Sequence, residues 1–196
     1  MVPTHHRSDP LPWAICLWEP IMEDDVSTTL CTTANKSSLG SSGIGYKILK
    51  WAHTACPNYL PYLFNLCLAS GTHPWRLVTI VMVNKPQKPD YSIPKVYCPI
   101  ALMECTSKLL EKIITKCFNN NILCYNLLPM TQFGSHPHHN TIDTVACLIH
   151  KIQGTLSTRH AIALLLFDIS RFFNNVNPDH TVVILHNLSF PTNVCD

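Results

Sequence analysis

A single aspartate, Asp168, follows the apolar run ALLLF, and its carboxylate could take part in metal chemistry. Mixed α/β folds present functional groups where buried strands end. A carboxylate at such a position can hold Mg²⁺, which takes one or two protein carboxylates together with phosphate oxygens. The alternative is an aspartate that only caps the following turn. Spacing alone favours the cap, so the metal hypothesis needs support from elsewhere in the chain.

Three lysines, Lys85, Lys88 and Lys95, lie in a proline-rich segment that also contains Tyr91 and Tyr97. Ammonium groups on a proline-stiffened hairpin can contact nucleic-acid phosphates, and tyrosine rings can stack on bases. An exposed, solvated loop explains the same residues at least as well. The segment therefore predicts a nucleic-acid contact only if other parts of the chain indicate such a function.

Histidines and cysteines are numerous enough to raise a zinc or disulfide hypothesis, since the chain has 11 and 10 of them. His136, His138 and His139 cluster on a loop, but no second set of ligands matches them. No two cysteines have the C-x-x-C spacing, and several fall among apolar helical residues, where a free thiol acts as a small hydrophobe. Structural thiols are therefore favoured, and a zinc- or disulfide-supported protein ranks last.

Helices and two strands must position these residues. Apolar periodicity predicts helices over residues 46–55, 59–69, 106–123 and 140–156. The acidic run 23–25 favours a helix start, and so does Asn177 followed by Pro178. β-branched residues predict a strand within 75–83, and the unbroken apolar run 161–167 predicts a strand covered on both faces. The expected fold class is therefore α/β, with helices around a small sheet.

Composition limits the function classes. With 46% hydrophobic and 13% charged residues in 196, the chain has the composition of a globular domain with a core. A net charge of +2 excludes a strong polycation effect, so a nucleic acid would be held by local basic clusters. No apolar run approaches the ~20 residues of a membrane-spanning helix, and no signal-peptide pattern is present. These features predict an intracellular chain with no membrane partner.

Five segments, taken in chain order over about residues 21–190, resemble the reverse transcriptase (RNA-directed DNA polymerase) region of non-LTR, LINE-type retrotransposons. MEDDVSTTLCTTANKSSLGSSGIGYKILK resembles the family's acidic-Val helix and N-K-S-P-G-x-x-G-I loop. HPWRLVTIVMVNKPQKPD resembles the first fingers strand with its lysine- and proline-rich turn. YCPIAL and its helix resemble the Y-R-P-I-S-L segment, and LLPMTQFGSHPHHNTIDTVACLI resembles the Q-x-G-F-R segment. ALLLFDISRFFNNV resembles the first palm motif, D-I-x-x-A-F-D-x-V.

The resemblance implies the fingers and the start of the palm of a right-hand polymerase, with an incomplete palm sheet. On this basis the chain divides into an irregular lead-in (1–20), a helical extension (21–74), a fingers-like region (75–160), and the first palm strand with its following helix (161–196). The family's partners are an RNA template, a DNA primer and dNTPs. Mg²⁺ is its cofactor, and no protein partner is defined. A nuclear or cytoplasmic location follows by resemblance alone.

Roles follow by motif position. Asp168 matches the first metal-binding aspartate of the palm, and Ile169 matches the position whose backbone carbonyl contributes to the metal site. Phe173 matches the aromatic residue beneath the incoming sugar. Lys85 and Lys88 fall in the fingers turn near template and nucleotide, with Lys95 close to them. The resemblance thus favours a metal-binding rather than a capping role for Asp168, whether functional or vestigial.

Several positions depart from the family pattern. The arginine of Y-R-P-I is Cys98 here, which removes a guanidinium able to hold phosphate through two hydrogen bonds. Four further substitutions are Ser135, His136, Phe172 and Asn174. The family's paired aspartates lie downstream of the matching segments, and one aspartate does not assemble a two-metal site. We therefore expect a polymerase fragment that is inactive alone and binds no metal tightly, or alternatively a non-catalytic nucleic-acid-binding module that retains the fingers.

Overall fold

A computed structural model describes residues 18–129, 131–136, 139–169, 175–188 and 190. The chain divides into two compact units. The first covers Trp18–Cys117, and the second contains the described residues from Phe118 onward. Most of the predicted lead-in lies outside the described residues.

Three helices open the first unit: α1 (Glu23–Cys31), α2 (Tyr46–Ala55) and α3 (Tyr59–Ser70). The acidic run does begin α1, and Asp25 accepts a hydrogen bond from the backbone N–H of Met22 at 3.0 Å. Helix α3 ends at Gly71, whose φ of +59° is a left-handed conformation that glycine adopts without strain. The helices predicted over 46–55 and 59–69 are confirmed.

The core of the first unit joins these helices to α4 (Cys105–Cys124). Val26, Phe64, Leu109 and Ile113 are fully buried within it. The side-chain amide of Asn65 closes one end, because it accepts from the Ile21 N–H at 2.9 Å and donates to the Ile21 carbonyl at 2.8 Å. The apolar face predicted for residues 106–123 thus packs against the N-terminal helices.

A two-stranded antiparallel sheet lies between α3 and α4 in the chain, formed by β1 (Thr79–Asn84) and β2 (Tyr97–Leu102). Its register runs from the pair Thr79–Leu102 to the pair Asn84–Tyr97. A 3₁₀ turn, Pro94–Val96, leads into β2. The strand predicted within 75–83 is present but begins later, whereas β2 was not predicted. Its YCPIAL sequence lacks polar alternation and contains proline, which sheets accept mainly on edge strands.

The second unit contains α5 (Thr141–Ser157) and α6 (Pro178–Asn187). Asn140 caps α5 by accepting from the Asp143 N–H at 2.9 Å, and Asn177 caps α6 by accepting from the His180 N–H at 3.2 Å. Its small buried cluster centres on Leu127 and Phe190. Both helices match the sequence prediction, although neither has a fully buried residue.

The prediction of a buried strand at 161–167 is wrong for this structure. Residues 161–169 are neither helix nor strand, and all are exposed; Phe167 is 87% exposed. A strand needs neighbours that bond its N–H and C=O groups and cover its faces. Among the described residues, only β1 and β2 form a sheet. The segment therefore has strand composition without the pairing that makes a strand.

Candidate nucleic-acid interface and metal position

The loop joining β1 to β2 carries all three predicted lysines. Lys85 is half-buried at the base of the loop, while Lys88 and Lys95 are exposed. The Lys85 N–H bonds to the Val96 carbonyl at 2.8 Å and extends the strand pairing by one step. A turn at Pro86 and Gln87 follows, in which Gln87 has the left-handed φ of +60°. The sequence therefore folds this segment into a defined hairpin loop.

Two tyrosines brace the hairpin loop through its carbonyl groups. The Tyr91 hydroxyl donates to the Lys85 carbonyl at 3.0 Å, and the Tyr97 hydroxyl donates to the Tyr91 carbonyl at 2.9 Å. The Lys85 ammonium donates to the Lys95 carbonyl at 2.9 Å, which leaves two of its three donors for other acceptors. The structure thus brings Lys85 and Lys95 together and holds the loop as a preformed surface.

The hairpin loop has a net positive charge and lies beside a cleft lined by aromatic residues. Asp90 is its one carboxylate, and that carboxylate accepts from both the N–H and the hydroxyl of Ser92 at 2.8 Å. These hydrogen bonds lower the pKa of Asp90 below its usual value. Beside them lies a cleft of about 330 Å³, lined partly by Tyr91, Pro94 and Tyr97. The arrangement offers ammonium donors for phosphates and aromatic surface for a base.

Glu104 was missed by sequence reasoning. It lies just after β2, is only 7% exposed, and accepts hydrogen bonds from the Ser41 hydroxyl at 3.0 Å and from the Ser42 N–H at 2.9 Å. The Ser42 hydroxyl also donates to it. These bonds, led by the Ser42 hydroxyl, lower the pKa of Glu104. Glu104 therefore fixes the SSLGSSG loop to the start of α4. The only sequence signal was a lone acid between an apolar strand and an apolar helix.

The predicted metal position, Asp168, lies in the second unit, whereas the hairpin loop lies in the first. Asp168 and Ile169 are both exposed on the unpaired segment 161–169. Phe173 lies outside the described residues. Asp168 is therefore placed on an accessible stretch of chain and not at the end of a formed strand.

Comparison with known proteins identifies the family. The model of the family described as reverse transcriptase (RNA-dependent DNA polymerase) matches residues 83–196, more than half of the chain. The chain belongs to the reverse transcriptase family. The matched range contains the hairpin lysines and Asp168, so the predicted resemblance is confirmed at the level of the family.

Relatives of this chain come from transposable elements. It is 28% identical over 160 residues to a probable RNA-directed DNA polymerase from transposon BS of Drosophila melanogaster. It is 25% identical over 159 residues to a similar protein from transposon X-element of the same species. A Pol polyprotein from the type-1 retrotransposable element R1 of Bradysia coprophila is 26% identical over 132 residues. These alignments cover 81%, 80% and 66% of the chain but only 18%, 17% and 13% of the relatives.

These names confirm the predicted non-LTR retrotransposon type. The chain spans less than a fifth of the length of the relatives it matches. The fold class is also confirmed as a mixed arrangement of helices with a small sheet.

The reverse transcriptase family generally uses Mg²⁺. This chain has donor atoms of the type that the ion prefers, but too few of them lie together among the residues that the structure describes. Asp168 supplies carboxylate oxygens of the type that Mg²⁺ prefers. However, the described part of the chain contains no group of three His, Cys, Asp or Glu side chains that could hold a metal ion. Bound in such a site, Mg²⁺ would stabilise charge on a transferred phosphoryl group. The described residues hold too few ligands to assign it a coordination site.

The alternative zinc and disulfide hypotheses find no support in the described residues. His136 and His139 have ring centroids 4.5 Å apart, and His139 also lies against Phe133, while His138 is outside the described residues. The eight cysteines that the structure describes are all free. Over the same residues, no helix is long and apolar enough to span a membrane.

The structure describes the local conformation of two positions that depart from the family pattern. Cys98 is exposed on β2 and pairs with Val83. Ser135 has a φ of +57°, within the left-handed region. Phe172 and Asn174 fall outside the described residues. A thiol at Cys98 provides no cation next to the hairpin lysines.

Proposed function

We propose that this chain provides the fingers and the beginning of the palm of a non-LTR retrotransposon RNA-directed DNA polymerase. In this proposal residues 75–160 form the fingers-like region, residues 161–196 begin the palm, and residues 21–74 form the helical extension. The substrates are an RNA template, a DNA primer and dNTPs. Family membership over residues 83–196 supports this assignment.

The observation that carries the proposal is the braced hairpin loop. Lys85, Lys88 and Lys95 lie on a loop held by hydrogen bonds between side chains and backbone carbonyls, inside the matched range. Because the loop is already ordered, binding a strand there costs little conformational entropy. We assign these lysines to phosphates of the template or the nucleotide.

The palm assignments rest on motif position. Asp168 is proposed as the first metal ligand, with the Ile169 carbonyl beside it and Phe173 beneath the incoming sugar. The exposure of Asp168 and Ile169 is compatible with a site that other segments of a polymerase complete. A two-metal site needs carboxylates from more than one strand. We therefore propose that these 196 residues do not extend a primer by themselves.

The second candidate function is a non-catalytic nucleic-acid-binding module, and the same hairpin loop favours it. Both candidates predict that this chain binds nucleic acid and does not extend a primer by itself; they differ in whether it serves as part of a polymerase. Primer extension by the purified chain with Mg²⁺, an RNA template and an annealed DNA primer separates them from an active enzyme. Product above a no-enzyme control would refute the proposed inactivity. A labelled-primer control with a complete reverse transcriptase verifies the assay.

Binding through the hairpin loop is tested by a salt series. Fluorescence anisotropy with a labelled single-stranded RNA should give a negative slope of log K against log salt, about −0.7 for each phosphate neutralised. Lys88→Gln should make that slope less steep, because Lys88 is exposed on the loop. A flat salt response of the wild-type chain would refute nucleic-acid binding in both candidates.

A further inference from the structure

Helix α4 carries a lysine stripe that the hairpin loop does not include. Lys108, Lys112 and Lys116 recur every four residues, so they lie along one face, about 6 Å apart in rise. They are the only cations of α4, and Glu111 is its only acid. The stripe belongs to the first unit, on the half of α4 that packs against the N-terminal helices.

Two clefts adjoin this lysine stripe and share Lys112. The first, of about 450 Å³, is lined by Ser37, Ser38, Lys108 and Thr115 among others. The second, of about 320 Å³, is lined by Thr28, Thr29, Thr32, Lys112 and Lys116. Serine and threonine hydroxyls next to ammonium groups are common donors to phosphate oxygens. Hydroxyl and ammonium donors line both clefts, and the two clefts together are called the groove here.

One of the lining hydroxyls lacks a partner. Thr29 is only 7% exposed, and among the described residues its Oγ1 is buried without a hydrogen bond. Buried polar groups are nearly always bonded, and leaving one unsatisfied is costly. Thr29 lines the second cleft, but this oxygen is itself buried, so a change of its χ1 rotamer would be needed to bring the hydroxyl to an acceptor there.

The ammonium groups of the three lysines have different partners. Lys108 donates to the Ser38 carbonyl at 2.8 Å, and Lys116 donates to the Thr28 hydroxyl at 3.2 Å. Asp25 lies 4.0 Å from the Lys116 ammonium, and Glu111 lines the first cleft. The Lys112 ammonium lies 5.5 Å from the centroid of the Tyr46 ring, a cation–π contact. Lys112 is thus the cation at the centre of the groove and has no carboxylate within 4 Å among the described residues.

We infer that this groove binds the phosphates of a single nucleic-acid strand. Regularly spaced ammonium groups between hydroxyl donors suit a chain of successive anions, and a flexible single strand can enter recessed clefts more readily than a duplex. None of the hairpin lysines, Lys85, Lys88 and Lys95, lines this groove. The choice of nucleic acid over another polyanion rests on the proposed function.

The test uses the full chain and compares two matched lysines. Lys112→Gln removes the central cation, whereas the control Lys47→Gln removes a lysine of the same unit that lies over the Trp51 ring, 4.8 Å from its centroid. Lys47 lines neither cleft. With a labelled single-stranded RNA oligonucleotide at about 0.1 M salt, losing one phosphate contact should weaken binding about fivefold and reduce the salt slope by about 0.7. Lys47→Gln should leave both values unchanged.

Comparing Lys88→Gln with Lys112→Gln tests the groove and the hairpin loop separately. If Lys88→Gln weakens binding while Lys112→Gln behaves like Lys47→Gln, the groove is refuted and the hairpin proposal stands. If Lys112→Gln weakens binding and Lys88→Gln does not, the groove is supported and the hairpin proposal is refuted. A duplex RNA of the same sequence that loses as much affinity with Lys112→Gln would overturn the preference for a single strand.

A second measurement needs no variant. Lysine acetylation of the wild-type chain, read by mass spectrometry, should show RNA protecting Lys112 more than Lys47. Equal modification of both lysines with and without RNA would count against the groove. Equal protection of Lys112 by poly-glutamate of the same charge would overturn the assignment to nucleic acid.

Discussion

We predict that replacing Gly40 by alanine destabilises the first unit. A Cβ at this position would lie 2.5 Å from Cδ of Glu104, 2.6 Å from its Oε1 and 2.8 Å from its Cα. The first two atoms belong to a side chain held by Ser41 and Ser42, and the third is backbone. Real Cβ atoms essentially never approach this closely, so Gly40→Ala must displace the loop or the start of α4.

Overpacking of this kind costs about 1–3 kcal/mol of unfolding free energy. For a unit of this size, each kcal/mol lowers the melting temperature by about 4–8 °C. The assay is urea unfolding and thermal denaturation followed by tryptophan fluorescence, since Trp51 and Trp75 both lie in the first unit. A lower midpoint with an unchanged denaturant slope would show lost stability in an otherwise similar fold.

Gly154→Ala is a control in which the same change has the opposite expected sign, and far-UV circular dichroism is its readout because Gly154 lies in the second unit. Gly154 lies within α5, where an added methyl group would meet no atom within 4 Å, and its φ is not positive. Alanine in a helix interior is favoured over glycine by about 0.5–1 kcal/mol. If Gly40→Ala unfolds at the wild-type midpoint, Glu104 does not pack on this loop and the reasoning is refuted.

Two further predictions concern local polar contacts. Hydrogen bonds from Ser42 lower the folded-state pKa of Glu104, so the stabilisation is fully present above the carboxyl's unfolded pKa and is lost as pH falls through the lower folded value. Urea midpoints measured from neutral to acidic pH should therefore converge for wild type and Glu104→Gln at low pH; a constant gap would contradict this. In the second unit, Asn140→Ala removes the cap of α5 and should cost about 1 kcal/mol of helix stability. Far-UV circular dichroism should show lost helicity, with the exposed Gln153→Ala as a neutral control; equal spectra for both would show that the cap contributes nothing.

Local sequence signals predicted the helices because those signals act over a few residues. Asn177 and Pro178 start α6 as expected, and the apolar repeat of residues 106–123 corresponds to α4 within one residue at each end. Caps and periodicity depend on neighbours three or four positions away, so they are readable without the fold.

Pairing across long separations could not be read in the same way. Strand β2 forms because residues 97–102 meet β1 in register, although Pro99 and the absence of alternation argue against a strand. Conversely, the apolar run 161–167 has strand composition but no partner among the described residues. Strand formation is decided by the neighbour that completes the hydrogen bonds, which composition does not reveal.

The candidate site shows the same division. Motif order along the sequence identified the reverse transcriptase family and selected Asp168, Lys85, Lys88 and Lys95. The tertiary structure alone revealed that tyrosine hydroxyls brace the hairpin loop and that Glu104 fastens a loop more than 60 positions earlier. Only the structure shows that Lys112 and Lys116 of α4 line the same cleft as the threonines of α1. Residue types and short spacings carry chemistry and local conformation, whereas a binding surface depends on which distant segments pack together.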